Sequence, residues 1–106
     1  MQERQLSKFQ IMLRAKHTSA LENLLKNKDF RFYMSELLGY CKTFENAFDE
    51  KGNVAAWNNG RQDVGQKIYN DIMAVSPEQY LAMCKEEAEY IALKDQMDKG
   101  EANAKY

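Results

Sequence analysis

Proline occurs only once in this 106-residue chain and glycine five times, and this scarcity limits the fold more than any other feature. Both residues interrupt helices and dominate turns, so their scarcity favours long helices over a turn-rich β fold. Apolar residues recur at helical spacing, and no segment of useful length alternates with the period of a strand. The sequence therefore predicts a small all-α bundle of four to five helices without a sheet.

The single proline marks the start of the last helix. Ser76 can cap this helix, Pro77 takes the first helical position, and Gln79 completes a capping box. We expect the helix to run from Pro77 to about Lys99, with Gly100 as its stop. Its apolar residues form one broad face: Leu81, Met83, Cys84, Ala88, Tyr90, Ile91, Leu93 and Met97.

The strongest amphipathic pattern lies in residues 30–48, after Asp29 as the expected cap. Two aromatic residues fall outside its face: Phe32 lies opposite and Tyr40 lies at the edge, so both are candidate contact residues. The pattern predicts one helix whose face repeats at 3.6 residues per turn, and we expect residues 46–53 to form the loop that follows. That face consists of Phe30, Tyr33, Met34, Leu37, Leu38, Cys41, Phe44 and Phe48.

Two shorter helices are expected before this one. Residues 4–16 carry Leu6, Phe9, Met12 and Leu13 on roughly one side. Ser19 and Glu22 have capping-box spacing, which predicts a separate helix over residues 20–26. We expect one domain over residues 1–106, with an N-terminal helix or arm (1–17), a core (18–99) and a flexible tail (100–106).

The segment WNNGRQDVGQKIYNDI, residues 57–72, predicts a central helix from a cap at Asn53 to about Val75. Glycine costs roughly 1 kcal/mol in a helix interior, so we expect Gly60 and Gly65 to be points of close approach. Asp63 and Lys67 have the spacing of an ion pair within a helix. The side expected to be buried consists of Trp57, Gly60, Arg61, Val64, Ile68 and Ile72.

Arg61 falls on this buried side, where a free charge is costly. We expect its stem to lie along Trp57 and its guanidinium to reach a carboxylate or the carbonyls at a helix end. One interpretation of the segment is internal packing, and the other is a surface that docks a partner. Under either interpretation the residues of this fold or interface motif are Trp57, Asn58, Gly60, Arg61, Asp63, Val64 and Gly65.

No group of residues predicts catalysis, a cofactor or a metal site, so we expect a protein that is not an enzyme. His17 is the only histidine, and Cys41 and Cys84 lack the close spacing of metal ligands or redox pairs. We expect free, mostly buried thiols in a reducing compartment. No membrane segment or signal peptide is visible, and no small-molecule substrate is indicated.

Fifteen basic and sixteen acidic residues give a net charge of −1, which argues against general nucleic-acid binding. The charges are unevenly distributed, with basic residues near the start and acidic residues near the end. This asymmetry fits two solvated helix faces, and it also fits surfaces that orient a partner.

Residues 28–83 resemble a family of small all-helical proteins of tailed bacteriophages, named from a Bordetella phage. The resemblance lies in an aromatic helix with a phenylalanine-bearing loop, an aromatic-Asn-x-Gly-Arg-x-x-Val-Gly block, and a proline followed by a Tyr-Leu pair. Asn59 departs from the acidic residue typical of that family. The matching residues are Phe44, Phe48, Trp57, Asn58, Gly60, Arg61, Asp63, Val64, Gly65, Pro77, Tyr80 and Leu81.

The resemblance implies a structural or accessory virion protein that acts at the capsid, portal or tail, or as an ejected component. Its expected partners are other phage proteins and a second copy of itself, and its expected location is the virion or the host cytoplasm during infection. One alternative is an early phage protein that modulates a host protein. Another is a DNA-packaging helper that uses the basic N-terminal region.

Overall fold

The computed structural model describes residues 5–103, and this part of the chain contains four α-helices and no strand. The helices are α1 (Lys8–Leu25), α2 (Lys28–Tyr40), α3 (Gly52–Val75) and α4 (Pro77–Asn103). The prediction of an all-α chain is confirmed, with four helices where four to five were expected.

The first two expected helices are one continuous helix, α1. Ser7 caps it: its Oγ accepts a bond from the Gln10 N–H at 3.1 Å, and the Gln10 side chain accepts one from the Ser7 N–H. The prediction of a new start at Ser19 is wrong, because no breaker precedes it and its pattern lies in mid-helix. Residue 4 of the predicted first helix lies outside the described residues, and the prediction is wrong for residues 5–7, which precede α1.

The helix α2 begins earlier and ends earlier than the apolar pattern predicts. Asn27 is the cap, since its Oδ1 accepts a bond from the Phe30 N–H at 3.0 Å, and Asp29 lies inside the first turn. A negative charge in the first turn still stabilises α2, because it interacts favourably with the positive end of the helix dipole. The predicted continuation of the helix from residue 41 to residue 45 is wrong, whereas the loop predicted from residue 46 is found and starts earlier.

A tight hydrogen-bonded stop ends α2. The Thr43 N–H donates to the Leu38 carbonyl at 3.3 Å, and the Lys42 N–H donates to the Gly39 carbonyl at 3.0 Å. These two bonds form the Schellman arrangement, which requires a residue with positive φ at the position of Lys42. Lys42 indeed has φ 52°, although glycine usually occupies this place. Residues 41–51 then form a loop before α3.

The helix α3 ends at Val75, as predicted. It starts at Gly52 after Lys51, which supplies no side-chain cap, so the expected cap at Asn53 is wrong. The amide of Lys51 is satisfied instead by Asp49 Oδ1 at 2.8 Å.

Ser76 separates α3 from α4 and caps α4 as predicted, because its Oγ accepts a bond from the Gln79 N–H at 3.3 Å. The Gln79 side chain does not return this bond; its oxygen instead faces Arg31 Nη1 at 3.4 Å. The predicted stop at Gly100 is wrong, since α4 continues to Asn103. Residues 104–106 of the predicted tail lie outside the described residues.

A small core forms where all four helices meet. Its buried side chains are supplied by α1 (Leu25), α2 (Met34, Leu38), α3 (Ile72) and α4 (Met83). Leu21, Phe30, Leu37, Ile68, Tyr69, Val75 and Tyr80 pack around them, partly exposed.

The chain is elongated around this core. Its radius of gyration is 18.8 Å, against about 13 Å for a compact domain of this length, and its extents are 70 × 39 × 16 Å. The long dimension arises because α1 and α4 extend past the core. The prediction of one broad buried face on α4 is therefore wrong: of that face only Met83 is buried, and Leu81, Cys84 and Ile91 are exposed.

Candidate functional site

The buried face of α3 is polar in its first half, which differs from the predicted stripe. Asn58 and Gly65 are buried, while Trp57 is 61 % exposed and Val64 is also exposed. The face that points inward follows the helical spacing of offsets 0, 3, 4, 7, 8, 11 and 14. It consists of Asn58, Arg61, Gln62, Gly65, Gln66, Tyr69 and Ile72.

Polar side chains of this face bond the backbone carbonyls of the loop at residues 41–51. Gln62 Nε2 donates to the carbonyls of Lys42 at 3.0 Å and Glu45 at 2.6 Å. Gln66 Nε2 donates to the Thr43 carbonyl at 2.6 Å. Because loop carbonyls without partners are costly when water is excluded, these donors fix the loop against α3. We call Asn58, Arg61, Gln62 and Gln66 the clamp.

The remaining clamp residues act at the two ends of this contact. Arg61 Nη1 donates to the Tyr40 carbonyl at the end of α2 at 3.1 Å, and its Nη2 donates to Asn58 Oδ1 at 2.6 Å. Asn58 Nδ2 in turn donates to the Ala47 carbonyl at 3.3 Å. The expected bond from Arg61 to a carbonyl at a helix end is confirmed.

The aromatic neighbour of Arg61 is Tyr40, and this differs from the expected stacking on Trp57. The guanidinium carbon lies 5.4 Å from the centroid of the Tyr40 ring, within the range of a cation–π contact. Tyr40, a candidate contact residue, therefore has one face occupied within the protein, although its side chain is largely exposed.

Of the two motif glycines, only Gly65 is a point of close approach. A Cβ there would lie 2.8 Å from Cys41 Cβ and still nearer to the Thr43 hydroxyl. Among the described residues, no atom beyond the adjacent backbone of α3 lies within 4 Å of a Cβ built at Gly60, so the predicted close packing at Gly60 is wrong. Gly60 lies on the exposed side of α3, between Trp57 and Val64.

Two phenylalanines project outward from the clamped loop, defined as residues 41–48. Phe48 is 76 % exposed and Phe44 is 62 % exposed. Phe44 also places its ring edge-on against Tyr69, with the centroids 5.1 Å apart. The loop backbone is thus fixed by polar bonds on its inner side and carries large apolar side chains on its outer side.

The charged motif residue Asp63 is exposed and lies outside the clamp. The predicted Asp63–Lys67 pair is not formed, because Lys67 bonds Asp71 at 2.8 Å instead. Asp71 also faces His17 Nε2 of α1 at 3.7 Å, which places two basic groups around one carboxylate.

A second surface feature is an open groove of about 230 Å³ between α2 and α4. Phe32, the other candidate contact residue, lines it and lies 5.1 Å from Tyr90 between ring centroids. Arg31 and Glu86 form a bidentate ion pair beside the groove, at 2.6 Å and 3.3 Å. Arg31 Nη1 also bonds the Leu25 carbonyl at 2.8 Å, which ties three helices together.

Within residues 5–103 no three residues of the His, Cys, Asp or Glu type come together as metal ligands, and no helix is long and apolar enough to cross a membrane. Of the two free thiols, Cys41 is buried and Cys84 is exposed, so the expectation of buried thiols holds only for Cys41. Burial and the neighbouring Cys84 raise the pKa of Tyr80 to about 12.

Sequence reasoning missed Gln62 and Gln66 as parts of the site. Their signal is present, because they continue the helical spacing of Asn58, Arg61 and Gly65. A search for apolar periodicity does not detect this face, because its first half, through Gln66, consists of amides, a guanidinium and a glycine.

In comparisons with known proteins, no family model matches this chain, and neither the curated proteins nor the solved structures give a match.

Proposed function

We propose that this chain is a non-enzymatic structural or accessory virion protein of a tailed bacteriophage, which binds another phage protein through its clamped loop. The resemblance of residues 28–83 supports the phage assignment. One observation carries the proposed mode of action. The clamp fixes the loop backbone while Phe44 and Phe48 stay largely exposed.

The energetics of such a loop favour binding over a purely structural role. Fixing one backbone residue costs about 1–2 kcal/mol in conformational entropy, and the clamp meets this cost during folding. A loop that is ordered beforehand loses less entropy when a partner binds. If stability were the only role, burying Phe48 would contribute more than leaving it 76 % exposed to water.

The outer side of the loop indicates a protein partner with an apolar pocket. Aromatic side chains are enriched among the residues that dominate protein interfaces. Trp57 and Val64 add a second apolar strip on the exposed side of α3. The open position of Gly60 lies between them and leaves a notch for a partner's side chain.

The first test is mass spectrometry of purified phage particles, in which we expect this chain to be present. A Phe48→Ser variant should be incorporated at a much lower level while its melting temperature stays near that of the wild type. Tyr33→Ser is the matched control, because Tyr33 is an aromatic residue outside the loop that is also largely exposed, at 63 %. Absence of the wild-type chain from particles would contradict the proposal.

A second variant distinguishes the contribution of the clamp to binding from that of the two phenylalanines. Gln62→Ala keeps both rings but removes the bonds to Lys42 and Glu45. We expect its partner affinity to fall by more than its stability change explains. Equal incorporation of Gln62→Ala and wild type would show that loop order has no role in binding.

The same surface fits the alternative of an early phage protein that modulates a host protein. Affinity capture from infected cells distinguishes the two functions: a host partner without a particle copy supports modulation. The DNA-packaging alternative predicts salt-sensitive DNA binding that is lost when Arg14 and Lys16 are replaced.

A further inference from the structure

Two helix segments of the elongated chain have exposed side chains throughout. We define the α1 arm as residues 8–19 and the α4 arm as residues 87–103. Every side chain of the α1 arm is exposed, and so is every described side chain of the α4 arm, through residue 100. Helices of this length are marginal alone in water, and a packed partner normally stabilises them.

Each arm carries an apolar stripe at helical spacing. In the α1 arm Phe9, Met12 and Leu13 lie at offsets 0, 3 and 4, and all three are exposed. In the α4 arm Tyr90, Leu93 and Met97 lie at offsets 0, 3 and 7, also exposed. Stripes of this kind are typical of helices that pack on another helix.

The stripe of the α4 arm continues a face that is already used inside the protein. Met83 on this face is buried in the core, Glu86 pairs with Arg31 of α2, and Tyr90 contacts Phe32. Helical geometry places Leu93 and Met97 on the same side, farther along α4. This face thus contacts α2 as far as Tyr90 and is uncovered beyond it, at Leu93 and Met97.

The two arms have opposite charges. The α1 arm contains two lysines and one arginine and no acidic residue, which gives +3 with His17 neutral. The α4 arm contains five carboxylates and two lysines, which gives −3. Opposite net charges on two helices that carry exposed apolar stripes attract the helices to each other and raise the rate of their association.

We propose that the α1 arm of one copy packs on the α4 arm of a second copy of this chain. Each copy offers one arm of each kind, so a twofold dimer forms two identical contacts and covers all four arms. The arms of one chain do not cover each other, because both remain exposed in it. This inference names one partner of the proposed virion protein and rests on that function only for its biological setting.

A nucleic acid is the competing partner for the α1 arm. Phosphates would neutralise Lys8, Arg14 and Lys16 but would leave the stripe of Phe9, Met12 and Leu13 exposed to water. A helix of opposite charge neutralises the cations and covers the stripe together, which favours a protein partner.

Light scattering of the purified chain is the first test. We expect a mass of twice 12.4 kDa for the wild type, and a monomer for Met97→Glu. Gln96→Glu is the matched control, since it adds the same charge at the neighbouring exposed position, beside the stripe, and should stay dimeric. A monomeric wild type at the highest concentration reached would overturn the proposal, as would equal effects of the two variants.

Charge reversal provides a second test, in which mixing two variants should restore the dimer that each variant alone has lost. One variant reverses the α1 arm (Lys8→Glu, Arg14→Glu, Lys16→Glu), and the other reverses the α4 arm (Glu89→Lys, Asp95→Lys, Asp98→Lys). Each alone repels its own copies and should be monomeric, whereas their equimolar mixture should form a dimer. A mixture that stays monomeric, or wild-type chains that bind a DNA duplex in preference to each other, would contradict the proposal.

These results are separable from the proposed function. A wild-type chain that is found in particles but is monomeric in solution contradicts the arm pairing alone. A dimer that never enters particles contradicts the virion assignment alone.

Discussion

Gly65 of α3 lies directly against Thr43, the residue that ends the hydrogen-bonded stop of α2. The Thr43 hydroxyl donates to the Leu38 carbonyl at 2.8 Å, and its own carbonyl accepts the bond from Gln66. Thr43 is therefore fixed from both sides, and the space for it exists because position 65 lacks a side chain.

The two motif glycines should respond oppositely to alanine. Gly65→Ala places a methyl group against Cys41 and Thr43, and such overpacking costs about 1–3 kcal/mol of unfolding free energy. Gly60→Ala meets no atom and should stabilise the helix by about 0.5–1 kcal/mol. Urea denaturation of both variants measures the difference, and a stabilised Gly65→Ala would show that the loop is not held against α3.

Replacing Lys42 by glycine should stabilise the protein. Lys42 has φ 52°, and the left-handed region costs a residue with a Cβ roughly 1–2 kcal/mol. We expect a gain of about 1 kcal/mol after the larger entropy loss of glycine on folding is subtracted. Lys26→Gly is the control, because Lys26 has φ −72° at the end of α1 and should only lose stability. Thermal unfolding of both variants tests this, and equal melting temperatures would argue against strain at Lys42.

Removing one partner of the ion pair between Arg31 and Glu86 should lower the free energy of unfolding more than replacing both partners by apolar residues. Both side chains are only 14 % exposed, so Glu86→Gln leaves a poorly solvated guanidinium and should cost about 3 kcal/mol. The double variant Arg31→Met, Glu86→Leu should lose less stability than the sum of the losses of Arg31→Met and Glu86→Leu measured singly. A double-mutant cycle from urea denaturation measures this coupling, and strict additivity would contradict it.

Stability should fall in strongly alkaline solution because of Tyr80. Its pKa is raised from 10 in the unfolded chain to about 12 by burial and by Cys84, so the folded state binds this proton more tightly. The contribution of protonated Tyr80 to the free energy of unfolding is complete below pH 10 and is lost as the pH rises through about 12.

Tyr80→Phe tests this pH dependence. The free energy of unfolding of the variant should fall less steeply between pH 10 and pH 12 than that of the wild type. Tyrosinate absorbance should show that the last group to ionise in the wild type is missing from the variant. Identical slopes in the two proteins would mean that Tyr80 does not ionise abnormally.

Helix content and the boundary between α3 and α4 were predictable from sequence because their signals are local. Ser76 and Pro77 define a helix start through their own backbone geometry, and Val75 ends α3 for the same reason. The end of α2 was not predictable in this way. Phe44 and Phe48 keep the helical spacing, and the chain leaves the helix at Tyr40 because donors from α3, about twenty residues away, satisfy the loop carbonyls.

The face of α3 that is buried was mispredicted for a related reason. Trp57 and Val64 are apolar, so hydrophobic periodicity assigned them to the inside. The inner face instead binds backbone, and amides serve that purpose better than alkyl groups. The contacts of Asn58 and Gln62 with the loop were therefore not predicted.

The two uncovered arms also imply an uneven distribution of folding stability along the chain. Amide hydrogens near Leu25, Ile72 and Met83 should exchange only on global unfolding, because these residues form the core. Those of residues 8–13 and 95–100 depend on single-helix hydrogen bonds and should exchange early in a dilute sample. If a second copy covers the arms, their protection and the melting temperature will rise with protein concentration, since association then completes the folding of these segments.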